Sequence, residues 1–408
     1  LGFALGPLLF GPLAFLIGGR SVYIGTYLCF TAFSFGISEA RNIQTVIVCR
    51  FFAGVMGSSS LNNTVATIGQ FTTPTQLTQY SIWYALAAFG GPGLGPVIAA
   101  FVDHRAGFRW NLRMQAIFVA ICTVACFLCI PQLGTPALWQ KNIGTGESKK
   151  KSSFIWATCK RALLGPFVWL ATGKRSSRCQ RTACTVLYIN NLARTEPVVL
   201  VICIYLSLLY GILYGFFEVF PYVFRDIRQW SGESTGLIFI SLLVGFFAAV
   251  VVVLVPQRLH EKKVYAMQAD GKMPPETKLQ QMLWAGALPP IGLFIFAWTA
   301  PFTSVHWFGA AFGMALFALG MMVIFTALIP YLVAYAGSEA PLALAASTFT
   351  RAAFGASFPL FSVQMYKGMT VQGASSMLAG LALLLVPLPW VLKKYGPKLR
   401  AKSRRMSS

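Results

Sequence analysis

Long apolar runs, separated by short polar segments, extend along almost the whole chain. A run of about twenty residues crosses a hydrocarbon layer of about 30 Å as an α-helix, because each residue adds about 1.5 Å. The pattern therefore predicts an all-α membrane protein with eleven membrane-spanning helices. The predicted spans are 1–17, 22–38, 43–68, 79–102, 110–131, 197–224, 234–256, 281–300, 305–335, 340–366 and 371–392.

A polar stretch, 132–196, divides these spans into five and six. We expect an N-terminal bundle at 1–131, a cytoplasmic central loop at 132–196, a C-terminal bundle at 197–392 and a cytoplasmic basic tail at 393–408. Two bundles around a long central loop are typical of transporters with six plus six helices. Because the chain starts at Leu1, inside an apolar run, we expect its first helix to be missing from this sequence.

The net charge is +22, although only 11% of the residues are charged and 56% are hydrophobic. The basic residues gather at 132–196, at 257–280 and in the tail at 393–408. Even numbers of spans separate these regions, so one orientation places all of them in the cytoplasm. The charge thus indicates topology and contact with anionic lipid, not nucleic acid. We expect a monomer, in the plasma membrane rather than the vacuole.

The stretch "FGGPGLGPVIAAF", 89–101, places glycines and prolines inside an apolar run, where they would form a loop in water. In a membrane, small residues let helices approach closely. Proline bends a helix, and neighbouring helices can compensate for the lost hydrogen bond. The pattern predicts a packed hinge; simple close packing without gating is the alternative. The hinge candidates are Gly90, Gly91, Gly93, Gly95 and Pro96.

Three charged residues inside predicted spans are candidates for proton coupling: Arg50, Glu218 and Arg351. A charge at the centre of a span costs at least ~2.5 kcal/mol on insertion scales, so it suggests a function. Glu218 can hold a proton and release it when a cation binds nearby, or it pairs with a group at the membrane surface. Arg50 can lower the pKa of a nearby carboxylic acid, or its side chain extends to the interface. Arg351 either pairs with a carboxylate or sits at the cytoplasmic end of its helix.

Polar and aromatic residues recur at spacings of three and four within 197–224, which places them on one helical face. They are Ser207, Tyr210, Tyr214, Glu218 and Pro221. We expect this face to line a cavity, where tyrosine rings can bind a flat apolar or cationic substrate. The weaker cavity candidates are Asn62, Asn63 and Gln364.

Nothing in the sequence indicates an enzyme, and no catalytic residue is predicted. The segment "GTGESKKKSS", 144–153, lacks the spacing of a phosphate-binding loop. The three histidines, His104, His260 and His306, are far apart in the sequence and suggest no metal site. We expect no cofactor and no metal.

Several motifs together resemble the signature blocks of the major facilitator superfamily. They include "RFFAGVMGSSS" (50–60), "GGPGLGPVIAAF" (90–101), "YGILYGFFEVFPYVF" (210–224) and "LAASTFTRAAFGASFPLF" (344–361). The chain is most similar to the twelve-span drug:proton antiporters of fungi, and its spans would then be helices 2 to 12 of that family. The resemblance implies secondary active transport by alternating access, with protons driving the efflux of drugs, toxins or other small organic molecules.

The resemblance also assigns roles to particular residues. It makes Arg50 the arginine associated with proton coupling, and it makes the glycine block of 90–101 the antiporter motif. Its first block, "GPLAFLIGGRSVY" (11–23), implies a cytoplasmic latch, of which Gly18 and Arg20 remain. Phe15 stands where the family has an acidic residue, so this latch is eroded.

Two alternatives to efflux stay open. The eroded latch and the irregular segment 132–196 also fit a non-transporting sensor or a degenerate paralogue. That segment is either a disordered loop or an error in the gene model. Import of a nutrient by the same fold is the second alternative, because fold alone does not decide function.

Overall fold

The computed structural model describes residues 2–17, 19–60, 64, 68, 74–129, 197–267, 279–336 and 340–402. Every regular element in these ranges is a helix. The predicted central loop, 132–196, lies outside the described residues.

The helices run from the beginning of the chain almost to its end. They are α1 Gly2–Ile17, α2 Gly19–Ser38, α3 Ile43–Gly57, α4 Pro74–Ala106, α5 Phe108–Cys129, α6 Pro197–Phe220, a π-helix Pro221–Ile227, α7 Gly232–Leu237, α8 Ile240–Met267, α9 Met282–Ala285, α10 Leu288–Thr299, α11 Trp307–Ala336, α12 Ala340–Leu384 and α13 Leu388–Lys402. Within the described ranges, eight helical segments are long and apolar enough to cross a membrane. The predicted all-α membrane fold is confirmed, and the count of eleven spans stays a prediction.

Several predicted span limits differ from the helix limits in the structure, and two of these differences have a clear cause. Helix α8 continues to Met267, although the predicted span ends at 256, because the polar residues that follow include good helix formers. The predicted span 371–392 is interrupted by a turn after Leu384, and α13 then extends into the predicted basic tail. Hydropathy locates the apolar layer, whereas hydrogen bonding decides where a helix ends.

Helix α12 covers two predicted spans and contains one non-helical residue, Thr370, with φ 65° and ψ 164°. This backbone region is almost confined to glycine. It falls between the predicted spans 340–366 and 371–392. A break in direction therefore occurs where the sequence predicts the gap between spans.

Contacts divide the chain into two compact units. The first consists of Leu1–Thr67, Phe108–Leu200 and Leu344–Ala352. In it, α1 lies against α3 so closely that a side chain on Gly2 would meet the carbonyl oxygen of Phe51. Helix α2 also contacts α3, and just beyond the end of α3 the hydroxyls of Thr26 and Ser59 are 2.7 Å apart.

The second unit consists of Ile68–Gly107, Val201–Ala343 and Ala353–Ser408. Its helices meet through glycines: Gly292 of α10 touches the backbone of α11 at Gly313. Fully buried phenylalanine rings fill the space between α6, α10 and α11, namely Phe216, Phe220, Phe296 and Phe317. Helix α4 belongs to this unit, while the division into bundles at 1–131 and 197–392 stays a prediction.

Candidate functional site

Aromatic side chains from four helices of the second unit form one group, which we call the ring cluster. Its members are Phe89 of α4, Tyr210 and Tyr214 of α6, Phe246 of α8 and Phe325 of α11. Phe89 is buried at the centre, with its ring centroid 4.8 Å from that of Phe325 and 5.7 Å from that of Phe246. The Phe89–Phe325 pair is edge-to-face, and such pairs are favourable beyond the area that they bury.

The predicted stripe on α6 places its two tyrosines side by side. The Tyr210 hydroxyl donates to the Tyr214 hydroxyl at 3.0 Å, and the ring centroids are 4.6 Å apart. Gly355 of α12 lies so close that a β-carbon there would come within 2.9 Å of the Tyr210 ring. The tyrosine pair therefore fits against α12 because position 355 has no side chain.

Ser207, two turns before Tyr214 on α6, is fully buried. Its hydroxyl forms no hydrogen bond with any other described residue. A buried hydroxyl without a partner costs free energy, so a second polar group at this point would be stabilising. The place of Ser207 in a substrate cavity stays a prediction.

One face of α4 lies against α7 and α8. Phe89 and Gly93 are four residues apart on this face, and a β-carbon at Gly93 would come 3.1 Å from Leu243 of α8. Near the end of α4, a side chain on Gly236 of α7 would come 2.5 Å from the Ala100 β-carbon. The absence of side chains at positions 93 and 236 thus permits α4 to pack closely against both helices.

The other hinge candidates on α4 have more open surroundings. At Gly91 and Gly95, a β-carbon would have no described atom within 4 Å, and at Gly90 the nearest atom belongs to Leu243 at 3.9 Å. Pro96 lies inside α4, which continues as a helix to Ala106. Among the predicted glycines, Gly93 is the one at a tight helix contact, and the hinge itself stays a prediction.

Glu218 is exposed on α6, one helical turn after Tyr214. The π-helix begins at Pro221 directly afterwards, and such turns are frequent at functional sites. Lys367 of α12 lies over the ring of Tyr222, 5.7 Å from its centroid. The salt bridges within the described ranges join other residues, so the carboxylate of Glu218 has no ion-pair partner there.

The two candidate arginines have different surroundings. Arg50 is exposed on α3. Arg351 is half-buried on α12, where its guanidinium donates to the Ser347 carbonyl at 3.2 Å and to the Thr348 hydroxyl at 3.0 Å. The contacts of Arg351 thus include polar groups one turn earlier on its own helix. The coupling roles of both arginines stay predictions.

The remaining candidates divide by whether the structure describes them. Gln364 is exposed on α12, and Arg20 is half-buried near the start of α2. Gly18, Asn62 and Asn63 lie outside the described residues.

The phenylalanine members of the ring cluster are not among the residues predicted from the sequence. No sequence pattern distinguishes Phe246 and Phe325 from the many other phenylalanines of the apolar runs. Phe89 has such a pattern, because it precedes the glycine block and lies four residues before Gly93, on the same helical face. A search for aromatic residues one helical turn away from a glycine cluster would have identified Phe89.

Comparisons with known proteins identify the family. Residues 1–359 match the sequence profile of the Major Facilitator Superfamily. The chain is 35% identical to "Efflux pump FUB11" of Gibberella fujikuroi, over 98% of this chain and 68% of that protein. It is 35% identical to "MFS-type efflux pump MFS2" of Trichophyton rubrum, over 99% of this chain and 66% of that protein.

A third relative is the "Major facilitator superfamily multidrug transporter mdrA" of Aspergillus fumigatus, 32% identical over 98% of this chain and 64% of that protein. The chain thus spans about two thirds of the length of these curated relatives. They confirm the resemblance to fungal efflux proteins.

Solved structures agree on the fold. A double-tryptophan mutant of XylE superposes with a TM-score of 0.63 at 15% identity, covering 99% of this chain and 87% of that one. The human organic anion transporter MFSD10 (TETRAN) gives 0.58 at 16% identity, covering 95% and 81%. The chain belongs to the Major Facilitator Superfamily and is a multi-pass integral membrane protein.

Proposed function

We propose that the protein is a secondary active transporter that exports drugs, toxins or other small amphipathic organic molecules. The observation that carries this proposal is the 35% identity to a protein named as an efflux pump over 98% of the chain. The family profile alone covers transporters of many kinds, and no enzymatic activity follows from it.

The ring cluster supports the proposed class of substrate. Tyr210 and Tyr214 are both half-buried, so parts of their rings stay accessible beside the buried Phe89. A flat apolar molecule can stack on such rings, and a cation is attracted to their faces. We infer that the tyrosine pair binds substrate while Phe89 supports it from α4.

Glu218 is the proposed proton carrier. It lies four residues beyond Tyr214, which corresponds to a rise of about 6 Å along the helix. A cationic substrate at the tyrosines would favour the ionised carboxylate, and a proton taken up from outside would favour release of that substrate. Arg50 and Arg351 would then adjust the proton affinity of acids in other states of the transport cycle.

Export in an efflux-deficient host tests the proposal. Cells expressing the chain are loaded with a panel of cytotoxic compounds, and efflux is measured with and without an imposed pH gradient. We expect gradient-dependent efflux of at least one compound, reduced about tenfold or more in Glu218→Gln. Asp226→Asn is the control and should retain efflux, because Asp226 is an exposed acidic residue of the second unit and the ion pairs within the described ranges do not involve it.

Other outcomes would contradict the proposal. Accumulation in place of efflux would favour import of a nutrient. Transport with full gradient dependence in Glu218→Gln would remove the proton role from that residue. No transport of any compound, with the protein folded in the membrane, would favour a sensor or a degenerate paralogue.

We also propose the plasma membrane as its location and a monomer as its functional form. For the location, we expect a fluorescently tagged chain to be seen at the cell edge. For the oligomeric state, we expect light scattering in detergent to give the mass of one copy. Fluorescence around the vacuole or a dimeric mass would contradict the respective proposal.

A further inference from the structure

A groove of about 710 Å³ opens on the surface of the second unit between α7, α8 and α11. Its walls are formed by exposed apolar side chains, among them Leu237, Val244, Phe308 and Phe312. The volume lies within the range of roughly 300–1,000 Å³ that is usual for small-molecule sites. None of the groove's residues belongs to the ring cluster.

The groove is closed at its inner end by a contact between two helices. A side chain on Gly245 of α8 would overlap the carbonyl oxygen of Ala315 in α11, so the backbones touch there. The groove lies between this contact and Trp307, where α11 begins. From Trp307 to Ala315, α11 rises about 12 Å, close to half of a hydrocarbon core about 30 Å thick.

The open end of the groove is polar and aromatic. The rings of Trp230 and Trp307 meet there, with centroids 6.4 Å apart. Ser231 and Ser234 contribute hydroxyls, whose oxygens are 3.0 Å apart. Tryptophan is enriched at the boundary between lipid chains and headgroups. The groove therefore has the polarity of an amphiphile, with polar groups at one end and apolar walls over the rest.

We propose that this groove binds one acyl chain of a membrane phospholipid, with the ester groups of the lipid at the tryptophans and serines. The length of the groove, about 12 Å, is close to the thickness of one leaflet, and its exposed apolar walls suit contact with hydrocarbon. A helix of another protein fits less well, because membrane helices associate through small residues and the rims here are bulky. The flexible chain of a lipid can fill an irregular groove.

A photoactivatable lipid tests the proposal. The purified chain is reconstituted with phosphatidylcholine, of which a small fraction carries a diazirine on its acyl chain, and labelled residues are mapped by peptide mass spectrometry. We expect labelling of 237–244 and 307–315 to exceed that of the exposed α10 face at Ile291, Phe294 and Trp298 by threefold or more.

Variants that fill the groove sharpen the test. Ala311→Trp fills the floor of the groove, and Val244→Trp narrows its rim at an exposed position that is tolerant of a large side chain. Both should reduce groove labelling at least threefold and leave α10 labelling unchanged. Ala334→Trp, exposed on the same helix outside the groove, should leave both unchanged.

Equal labelling of the groove and of α10 in the unaltered chain would overturn the proposal, since it indicates only general solvation by lipid. Crosslinked dimers through the groove would also overturn it, since they identify a second copy as the occupant. Both results are obtained without any variant, and neither depends on transport. Failure here is therefore distinguishable from failure of the proposed efflux.

Discussion

At the scale of single residues, Arg228 connects two distant parts of the second unit. Its guanidinium donates to the carbonyl oxygens of Thr299, Ala300, Phe302 and Val305 at 2.7–3.0 Å. These carbonyls belong to the end of α10 and the loop after it, where the helix dipole concentrates partial negative charge. Partial burial lowers the pKa of the Arg228 guanidinium, which nevertheless stays charged near neutral pH. The arginine thus donates hydrogen bonds to four carbonyl groups, and the ion pairs within the described ranges involve other residues.

We expect Arg228→Ala to destabilise the protein by about 2–3 kcal/mol, because hydrogen bonds from a charged donor are lost at once. Arg228→Lys should recover only part of this loss, since an ammonium lacks the planar fork of five donors. Thermal unfolding in detergent, followed by the fraction of monodisperse protein, measures the change. Arg225→Ala, at an exposed arginine three residues earlier, is the control. If Arg228→Ala and Arg225→Ala were equally stable, the hydrogen bonds from Arg228 to the end of α10 would not stabilise the fold as proposed.

A second residue-scale prediction concerns pH. Glu39 accepts a hydrogen bond from Arg113 at 2.8 Å, and this bond lowers the pKa of its carboxyl group. The pair therefore stabilises the folded chain above the ordinary pKa of a glutamate, and this contribution is lost as the pH falls through the lowered value. The difference in melting temperature between the natural chain and Glu39→Gln should shrink from pH 7 towards pH 3. A difference that stays constant over this range would contradict the assignment.

At the scale of elements, glycine position decides how α4 packs. Gly93 faces Leu243 across a tight contact, whereas Gly91, two residues earlier, faces open space. The sequence predicts the glycine cluster but not which glycine is in contact, because the rotation of a helix about its axis depends on its neighbours. The same reason hides the partners of Phe89, which come from helices more than a hundred residues later in the chain.

We expect Gly93→Leu to destabilise the contact between α4 and α8 by about 1–3 kcal/mol, as for other overpacked sites. Gly91→Leu is the matched control, and it should fold like the natural chain or slightly better, because leucine is the better helix former. Melting temperature and transport rate should both fall in the first variant alone. Similar values for the two variants would indicate that α4 does not pack through position 93.

At the scale of the whole molecule, hydropathy predicts the fold class, whereas the orientation inferred from the basic residues stays a prediction. The apolar runs give the all-α membrane fold because backbone groups inside a lipid layer must bond within their own helix. The apolar runs do not predict which carbonyl groups bind Arg228, about seventy residues away in the chain. No sequence pattern marks a carbonyl group that lacks a hydrogen-bond donor. Hydropathy also does not distinguish a polar helix end from a loop. Helix α8, for example, continues through polar residues to Met267.

The predicted topology can be tested directly. A short epitope inserted in the central loop, after Lys151, should be accessible only after the plasma membrane is permeabilised. At the exposed Thr303, between α10 and α11, Thr303→Cys should react with a membrane-impermeant maleimide on intact cells above the background of the natural cysteines, because an odd number of predicted spans separates the two sites. Accessibility of both sites from the same side would contradict the predicted arrangement of spans.

The break at Thr370 has a practical consequence for the shape of the chain. The two helical stretches on either side of it are joined by a single residue in a glycine-like conformation, with no connecting loop. Glycine adopts this conformation without strain, but Thr370→Gly also removes the hydrogen bond that the threonine hydroxyl accepts from the Gly373 N–H at 3.3 Å. We therefore expect Thr370→Gly to melt close to the natural chain, and Thr370→Val, which keeps the strain and loses the hydrogen bond, to melt at a lower temperature. A glycine variant less stable than the valine variant would contradict this interpretation of the break.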